Sequence, residues 1–366
     1  MTENGLEYSI ATSWDDVLLE GLAALNNAAG RQASIAEIYG SHRATITGGG
    51  RPSYRLPEVS EETFERHLAL AQRLGLRFNY VLNAPTFDGR EKDPEWLRQV
   101  GRFLDRLGKA GVSSLTIANE MLLRFARREY PGFRIYLSLI AGVDTVEAAR
   151  RFEDMGVDVI ILSPFTSNRD FFSLRAIRAA VTCGIELYAN IACLSDCRFR
   201  DAHFCYSGRG SRIGGNDNLT SDPFLMMCSS MYLTDPMQFL RTPFIRPEDV
   251  GVYRDLGINA IKLSDRSETT EFLLNTAKAY LAERYDGNLF DLVFRSGRKF
   301  RAGLGDRCPE AGDLALPVHI DNDVLNSLNF IKQIRNLSEP ALSEFYRLAA
   351  REAVRLPDSG TLSRWQ

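Results

Sequence analysis

At 366 residues, 45% of them hydrophobic and 25% charged, the chain is globular in composition and long enough for two domains or one large α/β barrel. A formal charge of −3 argues against a general binder of nucleic acid or of membrane surfaces. No apolar run approaches the roughly 20 residues that span a bilayer, and MTENGLEYSIATSWDD lacks the basic region and long apolar core of a secretory signal, so a cytoplasmic protein is expected.

Short β-rich runs alternate with amphipathic stretches along most of the chain. YSIATSW precedes DDVLLEGLAALNNA, whose apolar residues recur at three- and four-residue spacing. AEIYGSH follows, then ETFERHLALAQRLG leads to RFNYVLNA, and DPEWLRQVGRFLDRLGKAG to SSLTIAN. EMLLRFARREYPG precedes RIYLSLIAG, DTVEAARRFEDMG precedes VDVIILSP, and FFSLRAIRAAVTCG feeds IELYANIAC. Gly75, Gly111, Gly156 and Gly184 stand where a left-handed glycine ends a helix before the next strand. After residue 193 the rhythm breaks for a Gly- and Pro-rich stretch, then resumes with RPEDVGVYRDLG, INAIKLSD and ETTEFLLNTAKAYLAERY. Eight strands alternating with helices predict a (β/α)8 TIM-type barrel over 1–285 with a cysteine-bearing insert at 193–245, and a C-terminal extension packed on it over 286–366. A doubly wound sheet is the competing fold; TGGGR at 47–51 opens no helix and so is no dinucleotide fingerprint.

In such a barrel the C-terminal strand ends carry the site. Those ends are polar: Glu37 and Tyr39, Asn83, Asn119 and Glu120, Ser138, Ser163, Asn190, then Lys262, Asp265 and Arg266. Of these, Glu37, Tyr39, Asn119, Asn190 and Lys262 are the catalytic candidates. Six cysteines without a signal segment point to thiols or metal rather than disulfides. IACLSDCRFRDAHFC (191–205) places Cys193, Cys197, His203 and Cys205 together, while Cys228 and Cys308 lie further on. Spacing alone does not choose between zinc and an iron–sulfur cluster. A thiol nucleophile would need a base, for which His203 is nearest in sequence. Cys183 reads as a small buried residue.

Three stretches, EIYGSHRATITGGGRPSYRLP, NIACLSDCRFRDAHF and FIRPEDVGVYRDLGINAIKLSDRSETTEFLLNTAKAYLAERYDGNL, resemble peptidase family U32, and the resemblance covers roughly residues 6 to 325. It implies a barrel fold. Relatives labelled peptidases include proteins that hold a 4Fe–4S cluster on four cysteines and support oxygen-independent hydroxylation of ubiquinone precursors or RNA bases. Carried across, Cys193 and Cys197 match cluster cysteines after the seventh strand, Cys228 matches a third, and Cys308 is the fourth, with Cys205 its alternative. Arg198, Arg200 and Arg209 would offset the cluster's charge. An organic oxygen donor such as prephenate would need cationic anchors, for which Arg51, Arg246 and Arg266 stand beside Lys262; Gly48, Gly49 and Gly50 could present backbone amides to an anion.

The expected function is therefore an iron–sulfur oxidoreductase acting by oxygen-independent hydroxylation, or a related redox modification, on a small molecule or peptide. The alternatives are a cluster-bearing subunit that partners a second U32-type chain or electron donor, a peptidase, and a zinc-dependent barrel hydrolase. Proteolysis finds little machinery: there is no H-E-x-x-H or G-x-S-x-G, and four histidines in all. Nucleic acid is disfavoured as a partner by the charge, and a membrane by the lack of a long apolar run.

Overall fold

The computed structural model describes residues 5–30, 33–214, 222–294 and 318–356. Eight parallel strands run in sequence order: β1 (Leu6–Ala11), β2 (Ala33–Gly40), β3 (Arg77–Leu82), β4 (Ser114–Ile117), β5 (Arg134–Leu137), β6 (Val159–Ile161), β7 (Gly184–Tyr188) and β8 (Ala260–Leu263). Pairing of β1 with both β2 and β8 closes them into a barrel, which rules out the doubly wound sheet. All eight strands fall on the runs expected from sequence.

Local chemistry explains the helix boundaries. The helices Asp16–Ala28, Glu61–Arg73, Pro94–Lys109, Glu120–Glu129, Val146–Asp154, Phe171–Ala180 and Thr270–Leu281 each begin after a Ser, Thr, Asp or Asn whose side chain accepts a first-turn N–H. Gly75, Gly111 and Gly156 have the positive φ of a helix stop, and Gly257 is a fourth of this kind. Gly184 does not fit that expectation. It is the first residue of β7, where a Cβ would come within 3.1 Å of Val159.

The main core lies between strands and helices, with Ile10, Ile38, Leu82, Ile117, Leu187 and Leu263 fully buried. Inside the barrel Tyr136, Val159 and Ile161 form a separate apolar cluster along one arc. Much of the remaining interior is polar. Asn79 Nδ2 donates to Glu37 Oε1 at 2.9 Å, Ser114 Oγ to Glu37 Oε2 at 3.1 Å, Thr116 Oγ1 to Asn79 Oδ1 at 2.7 Å, and Ser9 Oγ to Glu186 Oε1 at 2.5 Å.

The described part of the insert is largely helical: Arg200–Arg209, Pro223–Thr234 and Met237–Arg241. It is stitched to the loop after β2 by Thr45 N to Ser211 O (3.0 Å), Ile213 N to Thr45 O (2.9 Å) and Ser53 N to Gly210 O (2.8 Å). C-terminal helices Asn322–Ser327, Phe330–Asn336 and Ala341–Ala353 pack against the insert and barrel through an aromatic cluster of Phe244, Phe330, Phe345 and Tyr346. Arg169 lies against three of those rings.

Candidate functional site

A cavity of about 130 Å³ opens at the C-terminal mouth of the barrel. Its floor is the last inward residue of successive strands: Tyr39, Val81, Thr116, Ile161, Tyr188 and Lys262, with Ser138 just past β5. Its walls come from the loop after β2 (Gly50, Arg51), the loop after β7 (Cys193, Cys197), the insert helices (His203, Phe224, Cys228) and the loop after β8 (Asp265, Arg266). The barrel geometry thus gathers Tyr39, Lys262, Arg51, Arg266, Cys193, Cys197 and Cys228 from segments more than 200 residues apart.

Four other expected site residues are not among the lining, and each has a structural occupation. Glu37 lies beneath the cavity, held by Asn79 and Ser114, with Arg77 Nε 3.8 Å away. Asn119 caps the helix Glu120–Glu129: its Oδ1 accepts from Met121 N and Leu122 N, and its Nδ2 donates to Pro85 O. Asn190 tethers the loop after β7 to β8, accepting from Ser264 N at 2.7 Å. Arg246 is buried, donating to both oxygens of Asp249 and to the side chains of Asn322 and Asn326, so it joins the C-terminal helices to the barrel rather than facing a substrate. Cys308 lies outside the described residues. Its alternative, Cys205, sits half-buried on the helix Arg200–Arg209 and does not line the cavity. None of the five described cysteines forms a disulfide.

The cationic groups are anchored in different ways. Arg51 Nε donates to Asp265 Oδ2 at 2.9 Å and Nη2 adds a second bond. Arg266 bonds Ser41 Oγ and Gly49 O. Arg200 donates to Leu194 O (2.9 Å) and Ser195 O (2.6 Å) and stacks 3.5 Å over the Phe165 ring, bracing the turn that carries Cys193 and Cys197. Arg198 and Arg209 are exposed, and Arg209 is engaged with Asp88, so they take no part in the cavity wall. The glycine amides proposed for an anion are likewise occupied at two positions: Gly48 N donates to Thr45 Oγ1 and Gly49 N to Ser211 Oγ. Gly48, at φ +80°, is needed there because a Cβ would come within 2.5 Å of Gly208 O. With Arg51, Arg200, Lys262 and Arg266 set against Asp265 and Glu186, the mouth is cationic in balance before any thiol ionises.

Two arrangements escaped sequence reasoning. Lys262 Nζ lies 3.8 Å from Glu186 Oε2 and 3.6 Å from the Tyr39 ring centre. Neither Nζ nor that oxygen has a hydrogen bond among the described residues. Burial pushes the Glu186 carboxyl up, and burial pushes the Lys262 amine down against the pull of Glu186 and Glu37. Glu186 was legible only as an acidic residue inside an apolar strand, IELYANIAC. The second arrangement is His203 Nε2 at 2.8 Å from Asp222 Oδ2, with the imidazole stacked on Phe224. Burial raises the Asp222 carboxyl, but the His203 bond and two backbone N–H groups outweigh it and hold the group below the usual range. Asp222 to His203 is a helix-to-helix contact that no local spacing announces.

No protein-family model matches the chain. An uncharacterized protease of Methanocaldococcus jannaschii is 28% identical over 248 residues, which are 68% of this chain and 72% of that one. The solved structure of a U32 peptidase superposes with a TM-score of 0.52 at 18% identity, over 72% of this chain and 93% of that one. The resemblance to peptidase family U32 is borne out. With the U32 peptidase structure the chain shares the barrel. No helix among the described residues is long and apolar enough to cross a membrane.

Proposed function

We propose that the chain is an iron–sulfur enzyme that carries out an oxygen-independent hydroxylation, or a related redox modification, of a small or peptide substrate at the barrel mouth. One observation carries the reading: Cys193, Cys197 and Cys228, from two separate segments, line one cavity with Arg51, Lys262 and Arg266. All three sulfurs also lie within electrostatic reach of the Tyr232 hydroxyl. Among the described residues no three Cys, His, Asp or Glu side chains converge as a ready site for one ion. Zinc asks its ligands to converge on a point, whereas a four-iron cluster takes one thiolate per iron and spreads them round a cube. A cluster would take Cys193, Cys197 and Cys228 as three of its thiolates, with Cys308 as the proposed fourth.

The bound cluster would supply one-electron chemistry and activation of an organic oxygen donor such as prephenate. The chain's own residues supply the rest. Arg51, oriented by Asp265, presents a guanidinium edge to a carboxylate. Ile140, Ile161, Phe204 and Leu225 give the cavity apolar walls that limit water. Asp222 accepts from His203 Nε2 and so orients the imidazole in the cavity. The reading also calls for an electron donor, either a separate protein or a second U32-type subunit.

The test is iron, acid-labile sulfide and zinc per chain on anaerobically purified protein. About four irons and four sulfides, lost in Cys193→Ser and Cys228→Ser but kept in Cys183→Ser, support the cluster. Stoichiometric zinc without sulfide, or no metal, overturns it. A second reading draws on His203, which Asp222 orients in the same cavity as three thiols, and on the protease label of the archaeal relative. A cysteine peptidase would hydrolyse peptides without iron and lose that activity to iodoacetamide.

A further inference from the structure

The chain carries its positive charge almost wholly as arginine, 38 residues against six lysines. Among the described lysines, Lys92, Lys109, Lys278 and Lys332 are exposed. Lys262 is buried, 4% exposed, inside the barrel on β8. An arginine there would stay charged at any working pH and would seek a forked partner, as Arg51 and Arg246 do. A lysine amine can give up its proton, and only then has a lone pair to share.

The surroundings suit that chemistry. Nζ faces the cavity without a hydrogen bond, next to a Glu186 oxygen in the same condition. Burial disfavours both charges, so the ammonium–carboxylate and amine–carboxylic acid forms of the pair draw close in free energy. The second form sets a nucleophile beside a proton donor. Groups facing the amine from other strands are Tyr39 and Glu37 on β2, with Arg266 just past β8. The cavity, about 130 Å³, is close to the ~150 Å³ that elsewhere encloses a benzene ring. Its cationic wall selects an anion, so the ligand is a small one with a carboxylate.

We infer that Lys262 is a nucleophile that captures the carbonyl carbon of a small 2-oxo acid as an imine, with Glu186 as its proton carrier. The Nζ lone pair adds to the carbonyl carbon while the π pair moves to oxygen. That oxygen takes the Glu186 proton, and the new ammonium nitrogen returns one to the carboxylate. Glu186 then protonates the hydroxyl, which leaves as water, and a protonated imine remains beside the carboxylate. No electrons are gained or lost, and one water is released. The step goes beyond the cluster reading and uses none of its cysteines.

The experiment incubates the full chain, as purified, with pyruvate and sodium cyanoborohydride, then maps N-carboxyethyl lysine by peptide mass spectrometry. Lys262 is expected to be labelled at least about tenfold faster than any exposed lysine, and acetone, which lacks the carboxylate, is expected to show no such preference. Glu186→Gln should slow labelling of Lys262 about 100-fold while circular dichroism stays unchanged. Wild-type labelling of Lys262 no faster than of Lys92 or Lys332 overturns the inference without recourse to any variant. Equal preference for acetone overturns the 2-oxo acid assignment, and an unslowed Glu186→Gln overturns the role of the carboxylate. Iron and sulfide are counted separately, so the imine and the cluster stand or fall independently.

Discussion

Arg246→Ala is the sharpest test of how the C-terminal helices are held. Arg246 Nε and Nη2 each donate at 2.8 Å to an oxygen of Asp249, and Nη1 reaches Asn326 at 2.9 Å and Asn322 at 3.1 Å. Arg246 is 2% exposed and Asp249 3%, so truncation leaves a buried carboxylate and two amide oxygens without their donor. Removing one partner of a buried ion pair costs roughly 3–5 kcal/mol. With an unfolding entropy of about 2.1 cal/mol/K per residue, ~4 kcal/mol over a chain of this length is a fall in Tm of about 5 °C. Arg246→Lys keeps the charge but loses the fork, and should fall in between. Thermal unfolding followed by circular dichroism reads the shift, and binding of a small carboxylate to the folded variant reads the site. A variant with wild-type Tm but weakened carboxylate binding would refute the structural role and return Arg246 to the substrate.

Asp222, held below its usual range when folded, contributes stability that is full above about pH 4, its unfolded value, and lost as pH falls through the folded one. Asp222→Asn retains a helix cap but removes the charge facing His203, so its acid-unfolding curve should be flatter below pH 4; a curve superimposable on wild type would sink this. Gly75 and Gly50 both have positive φ, but a Cβ at Gly75 meets nothing within 4 Å whereas one at Gly50 would sit 2.4 Å from Asn83 Oδ1. Each alanine variant should cost about 1–2 kcal/mol for backbone, with Gly50→Ala lower still in denaturant midpoint; equal midpoints would mean that Asn83 yields at no cost. Finally, Lys262→Met/Glu186→Gln should be at least as stable as wild type, by up to ~4 kcal/mol, while each single variant is less stable. A double variant clearly weaker than wild type would make the pair a structural one.

The barrel was legible because its signals are local. Alternating strand and helix runs and glycine stops at 75, 111 and 156 all lie within a few residues of what they specify. The insert was not. FLMMCSSMYLT is apolar all round and carries no stripe, so the helix Pro223–Thr234 gave no periodic signal. The same limit divided the candidate site. Asn119 and Lys262 both stand near strand ends, but Asn119 lies past β4 and caps the following helix while Lys262 lies within β8 and points into the barrel. Arg246 read like Arg51, a guanidinium able to grip a carboxylate; only the tertiary partners, Asp249 with Asn322 against Asp265 at the mouth, separate them.

A barrel filled with Val, Ile and Leu would be the more stable solution, and this one gives that up over half its interior. Most of the polar interior is compensated, since Glu37, Asn79, Ser114, Thr116 and Ser9 all find partners across the strands. Compensation is missing between Lys262 Nζ and Glu186 Oε2, where two buried groups of opposite charge type face each other at 3.8 Å and neither has a hydrogen bond among the described residues. Such a defect is costly at any depth. Here it lies at the cavity that also gathers three thiols and four arginines. Selection for stability would remove an unsatisfied pair, whereas selection for chemistry would keep it where a substrate can complete it.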